Sequence, residues 1–405
     1  MNFLGYRRPD GKVGTRNYVG IISTVVCANE VAKGIADKVS GAVAFTHQQG
    51  CCQTAPDLTR VTETLCGLGC NPNLAAVLLI GLGCEGTEMP AVQEAVAASG
   101  KPVRTLFIQE LGGAAKTTAE GVLIAQEMAI QASQIKPQKC GSGDIVLGLK
   151  CGSSDTTSGL SANPALGVVV ERLVAEDAVA IMGEVTEFIG AEHILAAQAK
   201  DEATGQKILD LVERMESRAK AVGVDMRGGQ PTPGNIAGGL TTIEEKSLGA
   251  IAKVGSAVVQ EVYEYGRTPR VKGLVVMDSP GREPEILTGL AAAGSILNRL
   301  KGSSGQQKDH YSQVLIRRLA QRLHLLDLAH VALEESLPRD AYLKIELRTQ
   351  PQRTSAQMRD SQDVNEDAKR FALKMKDMYL KWARKRRMRF TELLEEGVDS
   401  GVVYK

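Results

Sequence analysis

Residues able to hold a metal or move a proton recur in this chain at one kind of place: the loop after an apolar run of strand length. His47, Cys51 and Cys52 follow the run 42–46, and Cys84 and Glu85 follow 75–80. Cys151 and Asp155 follow 145–149, while Glu184, Glu187, Glu192 and His193 follow 178–182. Thiols, imidazoles and carboxylates are ligands for transition metals and the groups of acid–base catalysis. A free cysteine is commonly a small buried hydrophobe, but four such loops in succession form a pattern. They converge on one edge only if the strands are parallel, because ligands bind at the carboxyl ends of parallel strands.

The elements between the loops meet that condition. Runs at 18–26, 42–46, 75–80 and 103–108 read as strands, and the amphipathic stretches 29–38, 56–67 and 89–98 read as helices. The alternation resumes with a strand at 145–149, a helix from Pro164, a strand at 178–182 and a long helical region to about Ala221. A Gly/Pro loop (228–239), a further helix and a strand at 271–277 complete it. Strands alternating with helices imply crossover connections, hence an α/β protein with two parallel-sheet lobes and flanking helices. The run 136–143 is the best linker between the lobes.

Bulk properties exclude several classes. The net charge of +1 gives no general attraction for nucleic acid or membrane, and 4% aromatics provides no stacking platform. The amino terminus has no apolar secretory core, and no stretch of about 18 apolar residues occurs, so a cytoplasmic protein with reduced thiols is expected. The string Gly81-Leu82-Gly83-Cys84-Glu85-Gly86 matches a dinucleotide fingerprint. A thiol and a carboxylate fill the turn that should press bare backbone onto a pyrophosphate, so a nicotinamide cofactor is not expected. Gly228-Gly229-Gln230 matches a release-factor tripeptide and reads as loop.

Composition breaks near residue 294. All eight cysteines lie at or before Cys151, and only four of the 42 glycines lie beyond Gly294. Lysine and arginine number 26 against 32 acidic residues up to Gly294, then 22 against 15. The expected domains are a first lobe at 1–140, a second at 141–294, a linker at 295–308 and a mainly helical, basic tail at 309–405.

The body resembles the altronate/galactarate dehydratase family, which includes the large subunit of sulfolactate sulfo-lyase. The strings that carry this are Gly5-Tyr6-Arg7-Arg8-Pro9-Asp10-Gly11, Gly14-Thr15-Arg16-Asn17, His47-Gln48-Gln49-Gly50-Cys51 and Gly83-Cys84-Glu85. They continue through Cys151-Gly152-Ser153-Ser154-Asp155, Ala162-Asn163-Pro164-Ala165 and Gly190-Ala191-Glu192-His193. Last come Pro231-Thr232-Pro233-Gly234-Asn235, Glu245-Lys246-Ser247-Leu248-Gly249 and Met277-Asp278-Ser279-Pro280-Gly281. The tail resembles the first domain of class I release factors through residues 342–348, 378–383 and 392–396.

The family resemblance implies a lyase that eliminates water or sulfite from a small hydroxy-acid such as altronate, galactarate or sulfolactate. It implies iron, Fe(II) or another divalent metal, with an iron–sulfur cluster as a variant. His47, Cys51, Cys84, Cys151 and Glu187 are the expected ligands. His193 or Lys246 is expected to transfer the proton, and Arg7, Arg16, Asn163, Gly234 and Asn235 to bind the substrate. The chain begins where single-chain relatives have already passed a small SAF domain, and it has Ile236 where they often have Lys. Both point to a separate small SAF-type subunit, in a homo-oligomer without membrane association. The family continues past 287–294 into a strand that this sequence does not resemble, so an incomplete second lobe is expected. The alternative function is a catalytically impaired scaffold whose basic run at 381–389 contacts ribosomal RNA.

Overall fold

The computed structural model describes residues 2–152 and 154–296 with their side chains. Beyond these it describes the backbone of 297–298, 341–345, 390–396 and 399–404. In chain order the first lobe contains β1 (Asn2–Arg7), β2 (Val13–Gly14), β3 (Tyr18–Ser23), α1 (Asn29–Ala36), β4 (Ala42–Phe45) and α2 (Ala55–Cys70). It continues with β5 (Leu74–Gly81), α3 (Met89–Ala98), β6 (Val103–Phe107) and α4 (Ala114–Gln134). The second lobe follows β7 (Gln138–Gly141) with β8 (Val146–Leu149), α5 (Asn163–Ala175), β9 (Val179–Met182), α6 (Glu192–Ala197) and α7 (Glu202–Ala221). It ends with α8 (Pro233–Ala237), α9 (Ile243–Ile251), β10 (Val259–Tyr263), β11 (Gly273–Met277), α10 (Glu283–Ala292) and β12 (Leu297–Asn298).

Each lobe is a parallel sheet, as the alternation requires. The first runs β4-β3-β5-β6 and the second β10-β11-β9-β8-β12. Strand β5 is buried along all eight residues, as expected for a strand covered on both faces. One face of the first sheet packs Val31 and Ile35 of α1 with Ala125 and Met128 of α4, and the other packs α2 and α3. Helix starts follow local chemistry: Pro56 lies in the first turn of α2, and Asp201 and Thr242 cap α7 and α9 by accepting from Thr204 and Glu245 N–H groups.

The sheet orders also locate ligand crevices. The chain leaves β3 toward β4 on one side and then returns past it to β5, so the order reverses between β3 and β5. In the second sheet it leaves β9 past β11 to β10, and leaves β11 past β9 and β8 to β12, so the connections of these two neighbours run in opposite directions. Open parallel sheets take ligands at the carboxyl end of such points.

The departure expected at Ser295 does not occur there. Ser295 and Ile296 are buried, the Ile296 N–H donates to the Val146 carbonyl at 3.0 Å, and Leu297 and Asn298 pair in parallel with Leu147 and Gly148. The outer edge of β8 is therefore partnered, because its hydrogen-bonding groups accept any backbone at this register regardless of the polar side chains that follow. Asn71 ties this junction to the first lobe, donating to the Ala291 and Ser295 carbonyls at 2.8 and 3.0 Å. Residues 324–405 form a second unit. Its described residues are three strands, β13 (Ala341–Ile345), β14 (Phe390–Glu396) and β15 (Asp399–Tyr404), in an antiparallel sheet ordered β13-β15-β14. The helices expected in the tail, and the basic run at 381–389, lie outside the described residues.

Candidate active site

At the carboxyl edge of the second sheet, four side chains from three segments meet out of water. Cys151 follows β8, Glu184 and Glu187 follow β9, and Lys253 sits in a 3-10 turn directly after α9. Lys253 is fully buried and Glu184 is 1% exposed. The Lys253 ammonium donates to Glu184 Oε2 at 2.8 Å and to Cys151 Sγ at 3.0 Å, and stands 3.8 Å from Glu187 Oε2. Glu184 also accepts from the Cys151 N–H at 2.7 Å, and Lys150 approaches its other oxygen at 3.7 Å.

Backbone geometry aims Glu184 into this cluster. It holds φ 66° and ψ 59°, a left-handed conformation uncommon for a residue with a side chain. Its N–H donates to Ser279 Oγ at 2.9 Å, on the loop after β11. Gly183 precedes it because a Cβ there would lie 2.5 Å from that same oxygen. Strain of this kind persists where surrounding contacts over-determine it, often at working sites.

The electrostatics follow from burial. Burial pulls the Lys253 pKa down, but Cys151, Glu184 and Glu187 together outweigh it, and the net shift is upward, so the group is an ammonium. Burial pushes the Cys151 thiol up to about 12, despite Lys253 beside it, so it is protonated near neutrality. Burial likewise raises Glu184, with Lys253 opposing.

This cluster could also take a metal. One ligand atom from each of Cys151, Glu184 and Glu187 lies within 4.8 Å of the others, the one such group among the described residues. Among the described residues Glu187 Oε2 is a buried acceptor with no hydrogen-bond donor, its ion-pair partner Lys253 standing at 3.8 Å, and an ion would satisfy it. A thiolate with two carboxylates suits a divalent transition metal. Lys253 faces the same atoms, so ion and ammonium are alternatives for the same negative charge.

A cavity of about 490 Å³, within the size range of small-ligand sites, lies beside the cluster and is lined by Ser154, Asp155, Thr156, Asn163, Thr242 and Lys246 among others. Two lining residues touch the buried groups: Ser154 Oγ is 3.5 Å from Glu187 Oε1, and Asn163 Nδ2 is 3.9 Å from Cys151 Sγ while donating to the Gly249 carbonyl at 2.7 Å. Asn163 opens α5 after one turn of π-helix (Ser158–Ala162), a distortion frequent at functional sites.

The expected site residues are only partly brought together. Lys246 lines the cavity, with Nζ donating to Gln230 Oε1 at 2.9 Å. Asn235 donates to the Ser154 carbonyl at 3.0 Å, and with Gly234 it belongs to α8 near the cavity wall. His193 is exposed on α6. Arg7 pairs with Asp144 at 3.2 Å, and Arg16 precedes β3, at the end of the first sheet opposite the strand-end loops.

The five expected ligands divide between lobes: Cys151 and Glu187 follow the second sheet, and His47, Cys51 and Cys84 the first. Both ring nitrogens of His47 are engaged, Nδ1 accepting from the Gln49 N–H at 3.1 Å and Nε2 bonded to the Ser23 carbonyl at 2.8 Å. Burial lowers its pKa, so it is a neutral strut with no lone pair free. Glu184, noted in its strand-end loop, is not among the five expected ligands, and Lys253 is not expected from the sequence at all. The signal for Lys253 was a single charge inside the apolar run 248–254.

Fold and centre together define an α/β protein with a buried cluster of titratable side chains at the strand ends of a parallel sheet. Comparison with known proteins places it further. Residues 5–133 match the second domain of D-galactarate dehydratase/altronate hydrolase, and residues 142–306 match the C-terminal domain of D-galactarate/altronate dehydratase. The chain belongs to this dehydratase family. It is 38% identical over 298 residues to the (2R)-sulfolactate sulfo-lyase subunit beta of Chromohalobacter salexigens, covering 73% of this chain and 75% of that protein. It is 34% identical over 304 residues to the altronate dehydratase of Bacillus subtilis and 33% over 300 to that of Escherichia coli. These alignments cover 72% and 71% of this chain and 60% of each dehydratase. The family match reaches residue 306, past the break in composition at 294. No helix among the described residues is long and apolar enough to cross a membrane.

Proposed function

We propose that this chain is the large, catalytic subunit of a lyase that eliminates water or sulfite from a small hydroxy-acid, with the buried centre around Lys253 as its acid–base site. The supporting observation is the junction of centre and cavity, where Ser154 and Asn163 line the space and touch Glu187 and Cys151. Elimination removes a weakly acidic α-proton while the neighbouring carboxylate takes up charge. Cys151, Glu184 and Glu187 would hold a divalent ion, iron by family resemblance, which when bound supplies several kcal/mol of stabilisation to that charge.

With those three groups committed as ligands, burial alone would act on Lys253. Burial favours the free amine, the form that can take the α-proton. Cys151, protonated without an ion because burial lifts it to about 12, would have to lose its proton on ligation, so metal uptake should rise with pH. Lys246 on the cavity wall offers charge for the substrate carboxylate, and Asn163 orients a hydroxyl. In this reading Lys253 takes the proton-transfer role expected of His193 or Lys246.

The relative named as a subunit beta motivates a second, small SAF-type subunit as partner. The test is turnover of altronate, galactarate and (2R)-sulfolactate by the chain with ferrous ion and the candidate small subunit. Lys253→Met should abolish elimination while leaving the secondary structure intact by circular dichroism. Turnover by that variant at the wild-type rate would sink the assignment.

A further inference from the structure

The first lobe carries a set of thiols that the Lys253 centre does not use. Cys27 follows β3, Cys51 and Cys52 follow β4, and Cys84 follows β5, and all four are exposed. Free cysteine is among the most buried residue types, so four exposed thiols at one sheet edge are not packing residues. They also occupy the point between β3 and β5 where strand order reverses, the position at which open parallel sheets bind ligands.

The three loops are laced to one another. Val26 N–H donates to the Gln49 carbonyl at 3.0 Å, joining the first loop to the second. Gly86 N–H donates to the Gly50 carbonyl at 2.9 Å, joining the second to the third. Thr24 Oγ1 donates to Glu85 Oε1 at 2.9 Å, joining the first to the third. Gly50 is required there, since it holds φ +100° and a Cβ would lie 2.5 Å from the Thr24 carbonyl oxygen. Thr87 Oγ1, buried beside Gly50, has no hydrogen-bond partner among the described residues.

Cys51 is the thiol that faces the rest of the set. Its Sγ is 3.5 Å from Cys52 Sγ, and that contact is the main cause raising its pKa. Cys84 and Cys27 raise it further, so sulfurs from all three loops lie within electrostatic reach.

The spacing separates two kinds of metal site. Thiolates on a single ion with metal–sulfur bonds of about 2.3 Å crowd to within about 4 Å of one another. Among the described residues the one group of three ligand atoms within 4.8 Å is Cys151, Glu184 and Glu187. Cys27, Cys51 and Cys84 are set wider than that, as thiolates bound to different irons of one cluster must be. We propose that Cys27, Cys51 and Cys84 hold an iron–sulfur cluster at the edge of the first lobe, a site separate from the centre around Lys253.

The experiment is anaerobic reconstitution of the full chain with equal ferrous and ferric iron and sulfide. Iron, acid-labile sulfide, visible absorption and the electron paramagnetic resonance of the reduced protein are then measured. Sulfide should bind with an equal amount of iron, beyond the one ion that the Cys151 centre takes, and with broad visible absorption. Cys27→Ser, Cys51→Ser and Cys84→Ser should each lose most of the bound sulfide, while Cys52→Ser and Cys151→Ser retain it. Because all three ligands are exposed, circular dichroism should be unchanged in the variants. As a readout independent of variants, the cluster should protect Cys27, Cys51 and Cys84 of the wild-type chain from alkylation. Iron bound without sulfide, uptake unaffected by the triple serine variant, or a Cys51–Cys52 disulfide with no cluster under these conditions would each overturn the proposal.

Discussion

Replacing Lys253 by Met removes the cation from a centre in which Glu184 is 1% exposed and Lys253 is fully buried. Breaking a buried ion pair from one side costs about 3–5 kcal/mol, a large part of typical domain stabilities of about 5–15 kcal/mol. The cost depends on pH, because Glu184 can escape it by taking up a proton. Burial already raises the Glu184 pKa above its ordinary value of 4.5, with Lys253 opposing, and removing Lys253 raises it further. A carboxyl with a raised folded pKa contributes stability that is full below its unfolded pKa and is lost as pH rises through its folded pKa. The variant should therefore approach wild-type stability near pH 4 and fall progressively behind toward neutral pH. Urea denaturation across that range reads the gap, and Lys253→Met/Glu184→Gln should recover most of it at neutral pH. A cost independent of pH, or additive single and double effects, would show that the two side chains are not coupled and that the centre is misdescribed.

Three further outcomes follow from other parts of the molecule. Lys101 donates to the Gly69 and Asn71 carbonyls at 2.6 and 3.0 Å, and burial lowers its pKa to about 8 from 10.5. The unfolded chain binds the extra proton between those values, so stability should rise with pH across that window. Lys101→Met should flatten the rise in pH-dependent denaturation. Ile296→Asp places a charge at a position 5% exposed beside β8 and should cost at least about 3 kcal/mol by denaturant unfolding; a negligible cost would mean that the segment after Gly294 does not belong to the lobe. Lys246→Met should raise KM on the order of tenfold with kcat little changed, if the lysine binds the substrate carboxylate equally in ground and transition states. An unchanged KM would move the substrate elsewhere.

Much of the fold was legible because its signals are local. The runs expected at 42–46, 75–80, 103–108 and 178–182 became Ala42–Phe45, Leu74–Gly81, Val103–Phe107 and Val179–Met182, and the helix expected at 89–98 has those ends. Apolar run length and helical period depend on neighbours within a few residues, so one chain displays them without its fold. The same locality revealed the strand-end loops that carry Cys51, Cys84, Cys151 and Glu187. It did not reveal β10, whose Val259–Tyr263 includes Gln260 and Glu261, nor β12, whose two residues are a strand only because β8 offers them an edge.

The amino-acid order by itself determined the parallel α/β architecture, the family and the loops in which chemistry would sit. Which of those residues meet was decided only by the tertiary structure. His47, Cys51 and Cys84 end on one sheet, Cys151 and Glu187 on another, and Lys253 reaches Cys151 across 102 positions of chain. Strand order and crossover path set these distances, and neither leaves a periodic trace in the sequence. A lysine in an apolar run is an unexplained charge until two carboxylates and a thiol from other loops close around it, because its ionisation depends on partners that the chain alone does not bring near.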